Sequence, residues 1–218
     1  MPPFFCKPAD QPDAAPYECK HEDFYKHSKC DPNILITPNM DTAESLYNWA
    51  YEMDLFCTSS FEIGLFGSLY FVGFMFGSLT LLRLADMYGR RPIYYIGIVL
   101  HLVSVTFTIF IDSLVSRYLF MTLLGVATAV TVCGTFVLLI ELIPAKHKSL
   151  ISGFPHGLSG SNVAFYTLYL TMISRHWEPY QYWGLGVSVV ASAMSLAVPE
   201  SPHFLYTKCR YTEARAVF

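Results

Sequence analysis

The stretch Leu84-Ala85-Asp86-Met87-Tyr88-Gly89-Arg90-Arg91 sets one acid and two guanidinium groups between two uncharged apolar runs, Ile63–Leu82 and Pro92–Ile111. Each run reaches the ~20 helical residues that cross a bilayer core, so the stretch reads as a tight, doubly basic turn between two membrane helices. Glu141, Lys148 and Glu200 follow later apolar runs on the same side. Asp86, Arg90, Arg91, Glu141, Lys148 and Glu200 thus form a charge set at one membrane face. Such a set does electrostatic work, anchoring helix ends at the interface, rather than bond-making chemistry.

A second group of chemically capable residues lies inside the apolar runs. Pro155-His156-Gly157 leads to Ser161, Asn162, Tyr166 and Tyr169, and Thr128 and Thr131 add hydroxyls on the preceding run. A polar Asn or His within a membrane faces protein or water, which makes His156, Asn162, Tyr166, Tyr169, Thr128 and Thr131 candidates for facing a solute. Small and hydroxyl residues are also what close helix packing selects, as in Gly73-Phe74-Met75-Phe76-Gly77, and packing is the stronger reading. His101, a lone intramembrane imidazole, is expected in a hydrogen-bonded packing role rather than in proton transfer.

Other chemistries find no support. The chain has no phosphate-binding glycine loop, no paired-carboxylate site on a soluble domain and no metal-ligand repeat. Its N-terminal segment is acidic and its basic clusters are sparse, which argues against nucleic acid. The expectation is a protein that is not an enzyme and needs no metal or cofactor.

Composition agrees. Apolar residues make up 53% and charged residues 14%, whereas soluble domains carry about 25% charge. Residues 1–62 hold eleven acids and four lysines, against six acids and ten bases in 63–218. The segment 1–61 is read as an outer soluble loop, 62–199 as a membrane domain of about five helices, and 200–218 as an inner-side helical segment. The expected spans are 63–82, 93–111, 118–140, 149–173 and 183–198.

Arg90 and Arg91, Lys146 and Lys148, and Lys208, Arg210 and Arg215 fall on one side of these spans. Asp112 with Arg117, and Arg175 with Glu178, fall on the other. The positive-inside rule then turns the N-terminal segment outward. The N-terminus lacks the apolar core of a signal peptide, which is awkward for a translocated segment.

Within that segment Asp41-Thr42-Ala43-Glu44 reads as a capping box opening a helix through Trp49 toward Asp54. Cys6, Cys19, Cys30 and Cys57 also lie there, an even number on an oxidising face. Two disulfides are expected, with three pairings open; free thiols are the alternative. The spacings lack the short ligand pair of a zinc site. No Asn-x-Ser/Thr sequon occurs.

Leu84, Ala85, Asp86, Gly89, Arg90 and Arg91 resemble the G-x-L-A-D-x-x-G-R-R loop of the major facilitator superfamily. Glu52-Met53-Asp54-Leu55-Phe56-Cys57 resembles the E-W-D-L-V-C signature that closes the outer loop of organic cation, organic anion and carnitine transporters. Glu141-Leu142-Ile143-Pro144 with Lys148, and Pro199-Glu200-Ser201-Pro202 with Lys208, Arg210, Glu213 and Ala214, are similar to that family's inner loops after its fourth and sixth helices. The resemblance covers residues 45–218, four motifs in order.

It implies the N-terminal half of a major facilitator fold without its first helix, and a missing C-terminal half as partner. It also implies that acids and arginines pair across inner helix ends, that Asp86 faces a helix N-terminus, and that these pairs latch one access state. The sequence departs from the pattern at Leu82, Met87 and His203, and the family's fourth-helix arginine would fall at Met121.

Two functions follow. The first is a transporter-like protein for organic solutes, a small organic ion among them, that does not transport alone. The second is a non-transporting structural subunit of a large membrane complex, such as a mitochondrial respiratory one, with other membrane subunits as partners. The plasma membrane and the mitochondrial inner membrane both fit, with the N-terminal segment on the outer or intermembrane side.

Overall fold

The computed structural model describes residues 4–10, 15–20, 23, 25–26, 29–31, 33–40, 42, 45–53, 55–111 and 113–216, with the side chains of 26, 29, 145, 149–152 and 155–156 outside that description. The chain divides into two compact units, one of residues 1–64 with 166–179, the other of 65–165 with 180–218.

The first unit carries short strands where the sequence predicts a loop segment. β1 (Phe4–Pro8) lies between β2 (Tyr17–Cys19) and β5 (Ile34–Pro38), antiparallel to both. Its register sets Phe4 opposite Cys19 and Pro38, and Cys6 opposite Tyr17 and Ile36. β3 (Tyr25–Lys26) and β4 (Lys29–Cys30) form a separate hairpin. Phe4 and Cys6 alternate inward along β1 and, with Cys19, make a small core against Tyr25, Cys30, Ile34, Ile36 and Phe56. These strands are short and interrupted by proline and charge, so no run of alternation betrays them.

So small a core needs covalent support. Of the three pairings open to the sequence, the structure has Cys6–Cys19 and Cys30–Cys57. Cys30–Cys57 closes a loop with a sequence separation of 27. Replacing both cysteines by serine is expected to cost the segment about 3 kcal/mol. Faster hydrogen exchange across β1 and β5 would register that loss.

The helix read from Asp41 is corrected. Asp41, Ala43, Glu44 and Asp54 lie outside the described residues, and helix α1 spans only Trp49–Glu52. Its N-cap is Asn48, whose carboxamide oxygen accepts from the backbone N–H groups of Ala50 and Tyr51, both at 3.1 Å. Among the described residues, Ser59 and Glu62 form a capping box. They exchange bonds, Ser59 N–H to the Glu62 carboxylate at 3.1 Å and Glu62 N–H to Ser59 Oγ at 3.3 Å. That pair opens the first long helix.

Five long helices follow: α2 (Ser60–Tyr88), α3 (Arg90–Phe110), α4 (Leu114–Leu142), α5 (Lys148–Met172) and α6 (Glu178–Ser195). Short α7 (Pro202–Thr207) and α8 (Tyr211–Ala216) come last. α2, α3 and α4 are long and apolar enough to cross a membrane. α5 and α6 match the expected fourth and fifth spans in position, but they are less apolar. Lys148, His156 and Asn162 dilute α5, and Glu178, Pro179 and Gln181 dilute α6.

The expected Leu84–Arg91 turn is also corrected, because α2 runs on through Tyr88 and the turn is Gly89 alone. Nothing before Gly89 breaks a helix, and Gly89 adopts a φ of 113°, which side chains disfavour.

In the second unit α2 and α4 cross at glycine. A Cβ on Gly73 would stand 2.0 Å from Thr122 O, and one on Gly125 would stand 2.0 Å from Tyr70 O. Each helix backbone therefore fills the space a side chain would need, the packing of small-residue membrane interfaces. α4 is also interrupted by a π turn at Ala129–Gly134, where Ala129 and Val130 are buried and Val130 packs on Gly97 of α3.

Candidate functional site

The Gly89 turn of the second unit gathers side chains from well-separated stretches of sequence. Arg90 opens α3, and its Nη2 lies 2.9 Å from Glu141 Oε1 on α4 and 3.3 Å from Asp86 Oδ1 on α2. The two pairs are unequal. The Arg90 and Glu141 side chains are 18% and 17% exposed, whereas Asp86 is 66% exposed. Solvent screens the Asp86 pair to a few tenths of a kcal/mol. The Arg90–Glu141 pair is largely out of water and carries the weight, since losing one partner strands the other charge.

Glu200, just before α7, takes a different role. Its Oε1 accepts from the backbone N–H of Arg90 at 3.0 Å and of Arg91 at 3.2 Å. A carboxylate thus sits on the orphan N–H groups at the positive end of α3. The expectation that Asp86 faces a helix N-terminus is corrected: Glu200 holds the N-terminus of α3, and Asp86 pairs with Arg90. A Cβ at Gly89 would come within 2.8 Å of Glu200 Oε2, so the glycine also leaves room for this carboxylate. Glu200→Gln keeps the acceptor and removes the charge. It is expected to cost about 0.5–1 kcal/mol, read as a small fall in Tm.

Ser201 joins the two acids. It is fully buried, caps α7 by accepting from Phe204 N–H at 3.2 Å, and donates its hydroxyl to Glu141 Oε2. Arg91 points elsewhere, with Nε 2.9 Å from Tyr95 OH and Nη2 3.1 Å from Leu196 O at the end of α6. Tyr95 OH lies 3.3 Å from the same carbonyl. α2, α3, α4, the end of α6 and the start of α7 are therefore tied through six polar side chains and Asp86. Beside them Leu82, Ala85, Asp86, Arg90, Tyr94 and Val130 help to line a cavity of about 300 Å³.

Of the six charges singled out in the sequence, the structure brings together Asp86, Arg90, Arg91, Glu141 and Glu200. Lys148 is exposed at the first residue of α5 and takes no part in the contacts described. Sequence reading missed Ser201 and Tyr95. Ser201 had a legible signal, because a serine before a proline at a helix start is an N-cap pattern.

It also missed Arg117, placed in a connection but found 2% exposed on α4, with Nε donating to Ile111 O at 3.1 Å. An arginine at the edge of an apolar run reads as loop until packing buries it.

Several of the solute-facing candidates make local contacts among the described residues. The hydroxyls of Thr128 and Thr131 donate to their own helix, to Leu124 O at 2.7 Å and Ala127 O at 3.0 Å. The Asn162 carboxamide oxygen meets Tyr180 OH at 2.5 Å. Asn162, Tyr166 and Tyr169 fall at helical spacing on one face of α5, while the His156 side chain lies outside the description. The expected hydrogen-bonded His101 is corrected in part, since its Nδ1 is buried without a partner among the described residues, as is Ser104 Oγ one turn on.

The chain is similar in sequence to known transporters. Residues 14–218 fit the family described as sugar (and other) transporter. The chain is 26% identical to a Xenopus laevis protein named Solute carrier family 22 member 15-like, over 200 residues that make up 90% of this chain and 38% of that one. It is 28% identical to Solute carrier family 22 member 15 of Xenopus tropicalis, over 72% of this chain and 29% of the relative. A 43-residue stretch is 51% identical to an uncharacterized transporter of Rickettsia felis, covering 20% of this chain and 11% of that protein.

The chain thus spans less than two fifths of the length of these relatives. The motif resemblance to organic-ion carriers stands with the solute-carrier relatives. With its apolar helices, the chain is an integral membrane protein that belongs to the sugar (and other) transporter family of the major facilitator superfamily.

Proposed function

We propose that this chain forms the N-terminal part of an alternating-access carrier for organic solutes, small organic ions among them, and that it works with a second half as partner. One observation carries the reading. Arg90 bridges acids on α2 and α4, while Glu200 and Ser201 bind the start of α3 and Glu141 from the segment after α6. Charge pairs at the mouth of a helix bundle, half-shielded from water, can hold one access state closed and open when competing contacts form. In repeat-built transporters the solute sits between two halves near the midplane.

The basic Gly89 end then faces the cytosol or matrix, and the Cys6–Cys57 segment faces outward. Contacts within the first unit favour one shared side for the N-terminal segment and the α5–α6 connection. Tyr47 N–H donates to Arg175 O at 3.0 Å, and Trp177 Nε1 donates to Glu52 Oε1 at 2.9 Å. An even number of crossings, α2 to α5, separates these two segments.

Liposome counterflow with labelled organic cations and anions tests the reading, on the chain alone and on its native complex. The expectation is no uptake by the chain alone and saturable uptake by the complex. A stable stoichiometric assembly that transports nothing in the panel would replace the carrier with a structural subunit of a membrane complex.

A further inference from the structure

The Gly89 end of the second unit carries a basic surface outside the Arg90 cluster. Lys146 and Lys148 lie four and six residues past the end of α4, Lys208 caps α7, and Arg215 lies in α8. All four are exposed, and none pairs with a carboxylate among the described residues. The fold sets the two stretches side by side, because α7 packs against α4 and Ser201 donates to Glu141.

The acids of this end are already engaged. Asp86 and Glu141 pair with Arg90, Glu200 holds the start of α3, and Glu213 pairs with Arg210 at 2.5 Å. The four bases therefore leave the surface positive. Its tail is also two-sided. Pro202 and Leu205 are buried, whereas Tyr206 is 64% and Tyr211 49% exposed, their rings 5.2 Å apart and edge to face. Lys208 Nζ lies 5.7 Å from the Phe204 ring centroid.

We propose that the α4–α5 connection and α7–α8 together form a docking surface for the headgroups of anionic phospholipids in the adjoining leaflet. α4 is long and apolar enough to cross a membrane, so the bases just past its end stay near the bilayer face, within the reach of its charge, about 10 Å. Each lysine or arginine held there favours an anionic leaflet by about fivefold. The exposed tyrosines suit the same layer, since their rings take its apolar edge and their hydroxyls its polar one. A soluble anion would meet the charges but leave those rings in water.

α7 and α8 are six residues each, too short to hold as isolated helices. Docking should therefore slow their backbone hydrogen exchange.

The test measures that exchange on the full chain with its native partners, in nanodiscs of phosphatidylcholine alone or mixed with an equal part of phosphatidylglycerol. Amides of 202–216 are expected to exchange at least about fivefold more slowly with phosphatidylglycerol at low salt, a gain that shrinks at high salt. β1 to β5, in the acidic N-terminal segment, should show no such gain. Replacing Lys146, Lys148, Lys208 and Arg215 by glutamine should abolish the gain and leave exchange in phosphatidylcholine unchanged, since all four side chains are exposed. If that variant folds poorly, the salt series decides alone. Inositol hexakisphosphate added to the phosphatidylcholine discs should not reproduce the slowing.

Equal exchange in the two lipids, a gain that survives high salt or the four substitutions, or the same slowing by the soluble phosphate overturns the surface. None of these outcomes touches the carrier reading, which fails only in the counterflow assay.

Discussion

Arg90→Ala is expected to cut transport by the native complex more than about tenfold and to lower the stability of the chain by about 2–3 kcal/mol, the cost of leaving a shielded carboxylate without its counter-charge. The stranded group is Glu141, 17% exposed, whose other described bond is to the neutral Ser201 hydroxyl. Asp86 is exposed enough to regain water when Arg90 goes, so it adds little to the loss. Arg90→Lys keeps the charge but loses the planar fork that reaches both Asp86 and Glu141, and should recover part of the stability and less of the transport.

Adding Glu141→Gln to Arg90→Ala removes the stranded charge. The double variant should be more stable than Arg90→Ala alone, a non-additivity that thermal unfolding in detergent would measure. A latch also has a signature that a mere anchor lacks. Cysteine accessibility from the Gly89 side should rise in Arg90→Ala and stay raised in the double variant, even where stability returns. Unchanged accessibility would reduce the cluster to anchoring.

Gly125→Val is expected to cost about 3 kcal/mol or more and to leave little folded protein. Its first added carbon would lie 2.0 Å from Tyr70 O and 2.9 Å from Phe74 N, both backbone atoms of α2 that no side-chain rotation can move. The helices would have to part, and the Gly73 crossing would open with them, because its own missing Cβ meets Thr122 O. The control is Gly157→Ala on α5, where nothing lies within 4 Å. That change should be neutral or gain up to about 1 kcal/mol through helix propensity. Yield after size-exclusion chromatography and Tm would separate the two glycines. Similar losses at both sites would refute backbone contact as the cause.

The contrast shows where sequence reading ran out. Gly73, Gly77, Gly125, Gly153 and Gly157 look alike as letters in apolar runs. Only the crossing of α2 over α4 separates the first three, which meet backbone, from the last two, which meet nothing. Ser201 and Arg117 are similar cases. Each is an ordinary polar residue at an element end until helices far off in sequence close over it and burial makes its bonds obligatory.

The family, the order of the long helices and most of the charge cluster were legible in the sequence, because each depends on local signals. Apolar runs of membrane length set the helices, and the doubly basic turn, with the acids after later spans, carried the resemblance. The strands of the outer segment, the choice among three disulfide pairings and the assignment of Glu200 rather than Asp86 to the start of α3 were decided by tertiary structure. Strands of two to five residues show no periodicity, and disulfide pairing depends on which Cα atoms the fold brings within 5.8 Å or less. A helix N-terminus attracts any nearby carboxylate, and nearness across 110 residues of chain is a property of packing alone.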